Sequence, residues 1–276
     1  MKILDGNKLS EKYIKIIRQK TAKMKRRPVL AMVLVGDDPA SKIYVRRKGV
    51  LCEQAGIDSK TIILPENTSQ KKLLGAIDKL NKDKNITAIM VQLPLPSHID
   101  KKKIIESVDP KKDADCLHPE NLGKFIQEGE GYSIVAPATP LGIIKMLEEC
   151  KIPIAGKKAV VIGRSNIVGK PMAQFLLSRD ATVTVCHRLT KNLAKITREA
   201  DILVAAVGKK NLVKAPMIKK GAVVIDVGMN RDGKKLLGDV DFENVSKKAS
   251  YITPVPGGVG PMTIAMLLWN TLELAK

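Results

Sequence analysis

Aromatic residues are scarce in this chain of 276 residues: Phe, Trp and Tyr together make up 3%. Rows of stacked rings are thereby excluded, and with them the usual platform for single-stranded nucleic acid. Histidine is rarer still, at 3 residues, and the four cysteines (Cys52, Cys116, Cys150 and Cys186) include no CxxC pair. Their spacings match no zinc template, so no metal site is expected. Isolated thiols of this kind suit a reducing compartment. No run reaches the roughly 18 apolar residues that a membrane span needs, and the opening MKILDGNKLS lacks the apolar centre of a signal peptide. The expectation is a cytoplasmic protein with no membrane partner.

Acidic charge is also in deficit. Asp and Glu number 28 against 48 Lys and Arg, for a formal net charge of +20. Such an excess suits an anionic partner. The lysines, however, fall in scattered pairs such as Lys71-Lys72, Lys219-Lys220 and Lys247-Lys248. Most of them therefore belong to solvated helix faces, and a few would help to draw in a polyanionic substrate. A basic nucleic-acid-binding protein is the rival of another class, and it would bind DNA or RNA in a salt-dependent way. No helix-turn-helix, zinc or RNA-binding signature supports it, so nucleic acid is not an expected partner.

What the chain does have is 44% apolar residues and length enough for one large or two modest domains. Leu9, Tyr13, Ile16 and Ile17 set a helical period over 8–24. A strand follows over Val29–Val35. Asp38-Pro39 then opens a helix, with Asp at the N-cap and Pro in the first turn, which runs to about Ala55 and stops at Gly56. A strand near 60–64, a helix near 69–81 and a strand near 86–91 come next. Continuous apolar strands alternating with helices imply a parallel sheet covered on both faces. From Pro94 to Pro137 the pattern is irregular, with short helices. The rhythm restarts with a helix over 140–149 and a strand over Ala159–Ile162. A glycine turn and a helix over Val168–Ser178 follow, then strands near 182–186, 201–205 and 222–226. An apolar helix over Pro261–Leu274 closes the chain. The expected fold is two α/β domains with a cleft between them, the second a Rossmann-like dinucleotide-binding domain. The expected division is 1–136 with 259–276, and 137–258.

Within the second domain, Gly163-Arg164-Ser165-Asn166-Ile167-Val168-Gly169 joins a strand to a helix. Gly163 allows a tight turn, Ser165 is small enough for a pyrophosphate to approach, and Gly169 lets helix and strand close up. The spacing is one residue longer than GxGxxG, and a plain strand–turn–helix would read the same way. The next strand adds information. NAD sites usually carry an acid at its tip for the ribose hydroxyls, whereas Thr182–Cys186 ends in His187-Arg188. Arg164 and Arg188 suit a 2′-phosphate, which points to NADP as the cofactor rather than NAD; the alternative is an Arg188 directed to solvent.

In the first domain Ser41, Tyr44 and Lys48 recur at i, i+3 and i+7, which places them in one helical row. Such a row lines a cleft or is plain helix surface. Gln92 follows the third strand, in Gln92-Leu93-Pro94-Leu95-Pro96, where ligands of open parallel sheets bind. Asp113 and Asp115 suit a site or a helix cap. The segment Thr253-Pro254-Val255-Pro256-Gly257-Gly258-Val259-Gly260-Pro261 specifies a rigid, shaped loop whose amides could face a ligand.

Taken in order, ASxxYVxxK at 40–48, VQLPLP at 91–96, PKKDAD at 110–115, GRSNIVGKPM at 163–172, VIDVGMN at 224–230 and TPVPGGVGPMT at 253–263 resemble the bifunctional methylenetetrahydrofolate dehydrogenase/methenyltetrahydrofolate cyclohydrolase family, over nearly the whole chain. The resemblance implies NADP-dependent oxidation of 5,10-methylenetetrahydrofolate, then hydrolysis of the methenyl product to 10-formyltetrahydrofolate. It implies tetrahydrofolate derivatives as partners and a homodimer. By the same resemblance Lys48 is the base or proton carrier of the hydrolytic step and Gln92 its hydrogen-bonding partner. Tyr44 stacks on the folate with Ser41 beside it, and Asp115 accepts hydrogen bonds from the pterin. Gly163, Arg164, Ser165 and Arg188 hold the cofactor, with Met229 near the nicotinamide. The loop containing Pro256, Gly257 and Gly258 borders folate and cofactor.

The sequence departs from the family pattern at three places. Cys116 stands where Gly is common, Ala138 where Cys is common, and Arg188 where Ser is frequent. Cys116 bears on the local loop geometry and Arg188 on cofactor preference. A relative with dehydrogenase activity alone, using NAD, is the nearer rival; intact Lys48 and Gln92 argue against it.

Overall fold

The computed structural model describes residues 1–128, 135–233 and 235–276. The chain divides into two compact units. One comprises Glu11–Ala138 and Ile264–Lys276 and contains Lys48; the other comprises Met1–Ser10 and Thr139–Thr263 and contains the Gly163 turn.

The lysine-bearing unit is built on three parallel strands: β2 (Val29–Val35), β3 (Asp58–Leu64) and β4 (Ala88–Val91), with β2 in the middle. The register pairs Val29 with Asp58 and Leu30 with Ala88. The run VLAMVLV is buried from Leu30 to Val35 because a central parallel strand is covered on both faces. One such cover is α3 (Gln70–Lys82), which turns Leu73, Ile77 and Leu80 toward Ala31, Val33, Ile89 and Val91. Ser69 caps it, accepting from the Lys72 amide at 3.3 Å. Most of α1 (Gly6–Thr21) belongs here, and its Tyr13 meets Trp269 edge-on with ring centroids 6.0 Å apart. The helix expected over 8–24 thus starts earlier and stops at Thr21.

The predicted cap of α2 (Pro39–Gln54) is present: the Asp38 carboxylate accepts from the Ser41 amide at 2.8 Å, and Pro39 sits in the first turn. Beyond β4 the chain is irregular, with α4 (Lys101–Glu106), a 3-10 turn at Pro110–Lys112 and α5 (Pro119–Glu128).

The other unit carries a six-stranded sheet. Its strands are β1 (Lys2–Ile3), β5 (Lys158–Ile162), β6 (Thr182–Cys186), β7 (Ile202–Ala205), β8 (Val223–Asp226) and β11 (Tyr251–Ile252). The order is β1-β11-β8-β7-β5-β6, and every pairing is parallel. Starting from β5, the chain adds β6 on one side and then crosses to add β7 and β8 on the other. Doubly wound sheets bind ligands where the order reverses, outside the carboxyl ends of the strands. Here that point is the end of β5, at Gly163. The sheet core gathers Val160, Ile162, Leu203, Ala205, Val224 and Ile252. The helices of this unit include α6 (Ala138–Glu149), α7 (Gly169–Leu177), α8 (Leu193–Thr197) and α9 (Phe242–Ser246). A small antiparallel hairpin, β9 (Asn230–Asp232) with β10 (Lys235–Leu237), was not legible in the sequence. Nor was β1, whose two residues pair with β11. The last helix, α10 (Val259–Glu273), begins in this unit and continues from Ile264 in the other.

Candidate active site

Lys48 lies on α2 with only 7% of its surface exposed. Its Nζ donates to Oε1 of Gln92 at 3.0 Å and to Sδ of Met90 at 3.2 Å. Gln92 is positioned from both ends: its backbone amide donates to the Val33 carbonyl at 2.8 Å, and its Nε2 donates to the Leu93 carbonyl at 2.6 Å. The amide oxygen is thereby left facing the lysine. The Leu93-Pro94 peptide that follows is cis.

Burial holds the Lys48 ammonium below the usual lysine range, against opposing pulls from Asp115 and then Cys52. Asp115 moves the other way. Burial pushes its carboxyl up to about 6, with Lys48 opposing and Asp113 adding to the rise. An exposed lysine–carboxylate pair would show the reverse shifts. In this pocket desolvation outweighs the mutual attraction of the two groups, so both are biased toward their neutral forms. Cys52 beneath them is held as a thiol, its pKa pushed by burial to about 12. An amine with a lowered pKa, held against an amide oxygen, is better suited to act as a Brønsted base than an exposed lysine.

The other members of the α2 row differ in their surroundings. Burial raises the phenol of Tyr44, with Arg47 opposing. The hydroxyl of Ser41 donates to the Asp38 carboxylate at 2.8 Å, so the side chain completes the helix cap. Asp113 is likewise structural: its Oδ2 accepts from the His118 amide at 2.8 Å and from Nδ2 of Asn121 at 3.1 Å.

The loop carrying Asp115 is fixed by a residue that sequence reasoning missed. Asn270, 1% exposed in the apolar helix α10, donates from Nδ2 to the carbonyls of Ala114 at 2.8 Å and Ala136 at 2.7 Å. Its Oδ1 accepts from the Ala136 amide at 3.4 Å. A lone amide in an apolar helix was the available signal, since buried polar groups are nearly always bonded. The departure at Cys116 also has a structural outcome: the residue has φ +55, the left-handed region where glycine is ordinarily favoured. Its buried Sγ lies 3.6 Å from the Val135 carbonyl as a weak donor.

In the other unit the Gly163 turn packs backbone closely against backbone. Gly163 has φ +123, and a Cβ on it would come within 2.3 Å of the Ala206 carbonyl oxygen. A Cβ on Gly169 would reach the Gly163 carbonyl oxygen at 2.2 Å, so helix α7 meets the strand by bare backbone. The hydroxyl of Ser165 accepts from the amides of Val168 at 3.1 Å and Gly169 at 3.4 Å, a capping role that its small size alone did not reveal. Arg164 and Arg188 stand exposed at the ends of the neighbouring strands β5 and β6. No carboxylate occupies the tip of β6, where Cys186 is followed by His187 and Arg188. The residues present therefore fit NADP. Met229 is 51% exposed in the loop after β8.

The Gly/Pro loop is braced by the first residues of the chain: the amides of Gly6 and Asn7 donate to the Gly257 carbonyl at 2.8 and 3.2 Å. Gly258 is buried, Pro256 is exposed, and the Val255-Pro256 peptide is cis. Among the described residues, no three of His, Cys, Asp and Glu gather as a metal-holding group. No helix among them is long and apolar enough to cross a membrane.

Comparison with known proteins agrees with this chemistry. Residues 4–115 match the catalytic domain of tetrahydrofolate dehydrogenase/cyclohydrolase, and residues 137–276 match its NAD(P)-binding domain. The bifunctional protein FolD of Nitratiruptor sp. is 54% identical over 280 residues, covering 100% of this chain and 98% of that protein. The crystal structure of the bifunctional FolD methylenetetrahydrofolate dehydrogenase/cyclohydrolase from Campylobacter jejuni superposes with a TM-score of 0.96 at 50% identity, covering 100% of this chain and 98% of that one. The Trypanosoma brucei enzyme, solved with NADP cofactor and an inhibitor, superposes with a TM-score of 0.94 at 39% identity, covering 98% of this chain and 96% of that one. With both halves matched in order and across its full length, the chain belongs to the tetrahydrofolate dehydrogenase/cyclohydrolase family.

Proposed function

We propose that Lys48 is the base of the hydrolytic half-reaction, oriented by Gln92, and that Tyr44, Ser41 and Asp115 hold the folate around it. The protein is a bifunctional enzyme. It oxidises 5,10-methylenetetrahydrofolate to 5,10-methenyltetrahydrofolate with NADP, then hydrolyses that product to 10-formyltetrahydrofolate. The observation that carries the assignment is the 3.0 Å contact between the Lys48 amine and Gln92 in a pocket that depresses lysine protonation.

When bound, NADP supplies the hydride acceptor for the methylene carbon. That transfer moves no proton, so the protein's part is to hold the reacting carbon in line and to keep water away. The methenyl carbon that results is cationic. Water adds to it and gives one proton to the Lys48 amine; the resulting carbinol loses its hydroxyl proton as the C=O forms and one bridging C–N bond breaks, the freed nitrogen takes up a proton, and the formyl group stays on the other nitrogen. Gln92 keeps the amine lone pair directed by accepting one of its N–H bonds. Asp115, with its raised pKa, matches the polar edge of a pterin, and Tyr44 offers the flat face.

On the cofactor side, Gly163, Ser165 and Gly169 would take the pyrophosphate, and Arg164 and Arg188 the 2′-phosphate. Met229 and the loop Pro256-Gly257-Gly258 would lie toward the nicotinamide. The corresponding division assigns 1–136 with 259–276 to folate and catalysis, and 137–258 to NADP. A homodimer and a cytoplasmic location complete the reading. The first is tested by light scattering of the purified chain, and the second agrees with four cysteines that stay free thiols.

The decisive experiment follows formation of the methenyl product from methylenetetrahydrofolate with NADP and with NAD in turn, and then the decay of added methenyltetrahydrofolate without nucleotide. Wild-type protein should show both activities, and Lys48→Met should lose the second. Full hydrolytic rate in Lys48→Met would overturn the assignment of the base.

A further inference from the structure

The glycine-turn unit holds two buried carboxylates that the mechanism above does not use: Asp226, 3% exposed, and Asp239, 0% exposed. Burying charge in this way is expensive unless each oxygen is met by donors. Here the donors are almost all backbone amides. Asp226 accepts from Gly228 and Asp239 on Oδ1, and from Val240 on Oδ2, each at 2.9 Å. Asp239 accepts from Val207 at 2.7 Å and Gly208 at 3.0 Å on Oδ2, and from Lys209 at 2.8 Å on Oδ1. Its Oδ1 also takes Nδ2 of Asn230 at 3.0 Å. The fit is tight: a Cβ on Gly238 would fall 1.8 Å from Oδ2 of Asp226.

Five of these donors gather at one edge of the sheet. Val207, Gly208 and Lys209 leave the carboxyl end of β7, and Gly228 and Asn230 leave the carboxyl end of β8. Both ends lie on the sheet edge that carries the Gly163 turn, and the carbonyl of Ala206 is the very atom that forbids a side chain at Gly163. The belt also reaches the Gly/Pro loop, because the Asp226 amide donates to Oγ1 of Thr253 at 2.7 Å. Met229 sits between two residues, Gly228 and Asn230, that are both held by the carboxylates. Fixed acceptors that tie three loops together leave little freedom along the rim.

We propose that Asp226 and Asp239 are positioning residues of the dehydrogenase half-reaction, clamping the loops 206–209 and 227–230 in the shape that the nicotinamide end of NADP requires. They touch no substrate; they act through the backbone of the rim. The proposal rests on the reading that NADP binds along this edge. Hydride transfer depends on alignment, and displacements of about an ångström are worth up to a hundredfold in rate. The hydrolytic step, driven from Lys48 without a nucleotide, has no such dependence on this rim.

The test measures both half-reactions on one preparation of full-length Asp239→Asn. An amide at 239 turns an N–H pair toward amides that now donate to a carboxylate oxygen. The expected result is a fall of roughly tenfold to hundredfold in kcat/KM for NADP, with nucleotide-free hydrolysis of methenyltetrahydrofolate within about twofold of wild type. Asn230→Ala, which deletes one donor and keeps both carboxylates, should move the same parameter in the same direction by less. Equal loss of both activities would mean a merely structural role and overturn the proposal; unchanged NADP kinetics would do so as well. If Asp239→Asn does not accumulate as folded protein, the NADP kinetics of Asn230→Ala decide by the same criterion. A wild-type enzyme unable to reduce NADP would instead strike at the cofactor reading itself.

Discussion

The amine of Lys48 lies 3.0 Å from the side-chain oxygen of Gln92, across 44 residues of chain, one group from the helix α2 and the other from the end of β4. Neither element alone brings the two groups together. The helix supplies an amine with burial enough to disfavour its charge, and the strand end supplies a neutral acceptor to aim it. A carboxylate in place of Gln92 would raise the lysine pKa and leave it protonated.

Replacing Lys48 with Met or Arg should abolish hydrolysis of methenyltetrahydrofolate by at least roughly a hundredfold, the usual contribution of a general base. Arg keeps the charge but stays protonated, so it should not rescue. KM for NADP, measured in the oxidation assay, should stay near wild type.

Asp115→Asn carries a signed pH prediction. The Asp115 charge raises the lysine pKa, so its removal should carry Lys48 still lower. The acid limb of the kcat profile for hydrolysis should therefore move to lower pH, while KM for folate rises. A limb that moves to higher pH would contradict the coupling.

Arg188→Glu should reverse the charge facing a 2′-phosphate. Loss of a charge-assisted bond is worth roughly 1.5–3 kcal/mol, or about tenfold to a hundredfold. We expect KM for NADP to rise by that factor and KM for NAD to change little, measured by initial rates with each nucleotide.

Asn270→Ala would leave the buried carbonyls of Ala114 and Ala136 without their donor. Each such orphan costs about 1–3 kcal/mol, so denaturant unfolding should show a loss on the order of a few kcal/mol. KM for folate should rise through the adjacent Asp115, even in preparations that remain fully folded.

The Asp226 carboxyl gives a pH dependence of stability. Burial raises it from 3.8 to about 6, against the pull of its backbone hydrogen bonds. Between those values the folded protein binds a proton that the unfolded chain does not, so this group's contribution becomes less favourable as pH rises through the window. It amounts to about 3 kcal/mol across the window at most. Unfolding titrations of wild type and Asp226→Asn should therefore differ in slope between about pH 4 and 6, wild type losing ground relative to the variant as pH rises.

Much of the fold was legible locally. The run Val29–Val35 is a strand because nothing but apolar side chains fills it, and Asp38-Pro39 starts α2 because an acceptor and a fixed φ are what a helix start needs. The row Ser41, Tyr44 and Lys48 followed from helical spacing. The hairpin β9–β10 and the two residues of β1 were not legible, since such short strands exist only through partners far along the chain.

The site was legible in its residue types and not in its divisions of labour. Ser165 accepts from the amides that lead into α7, and Ser41 donates to the Asp38 carboxylate that caps α2, roles that depend on where neighbouring groups point. Asn270 showed only as a lone amide in an apolar helix and Asp226 only as one letter of VIDVGMN, while Asp239 gave no signal, because their work is to satisfy backbone groups that the fold brings to them.

The order of motifs along the chain, and with it the family and the reaction, was a property of the sequence alone, because side-chain type and spacing are what such motifs consist of. Tertiary structure decided the direction in which burial moves the pKa values of Lys48 and Asp115, the left-handed turn at Cys116 and the ties from Asp239 to the backbone after β7. Those depend on desolvation and on hydrogen-bond partners brought together from distant parts of the chain, quantities that exist only once it has folded.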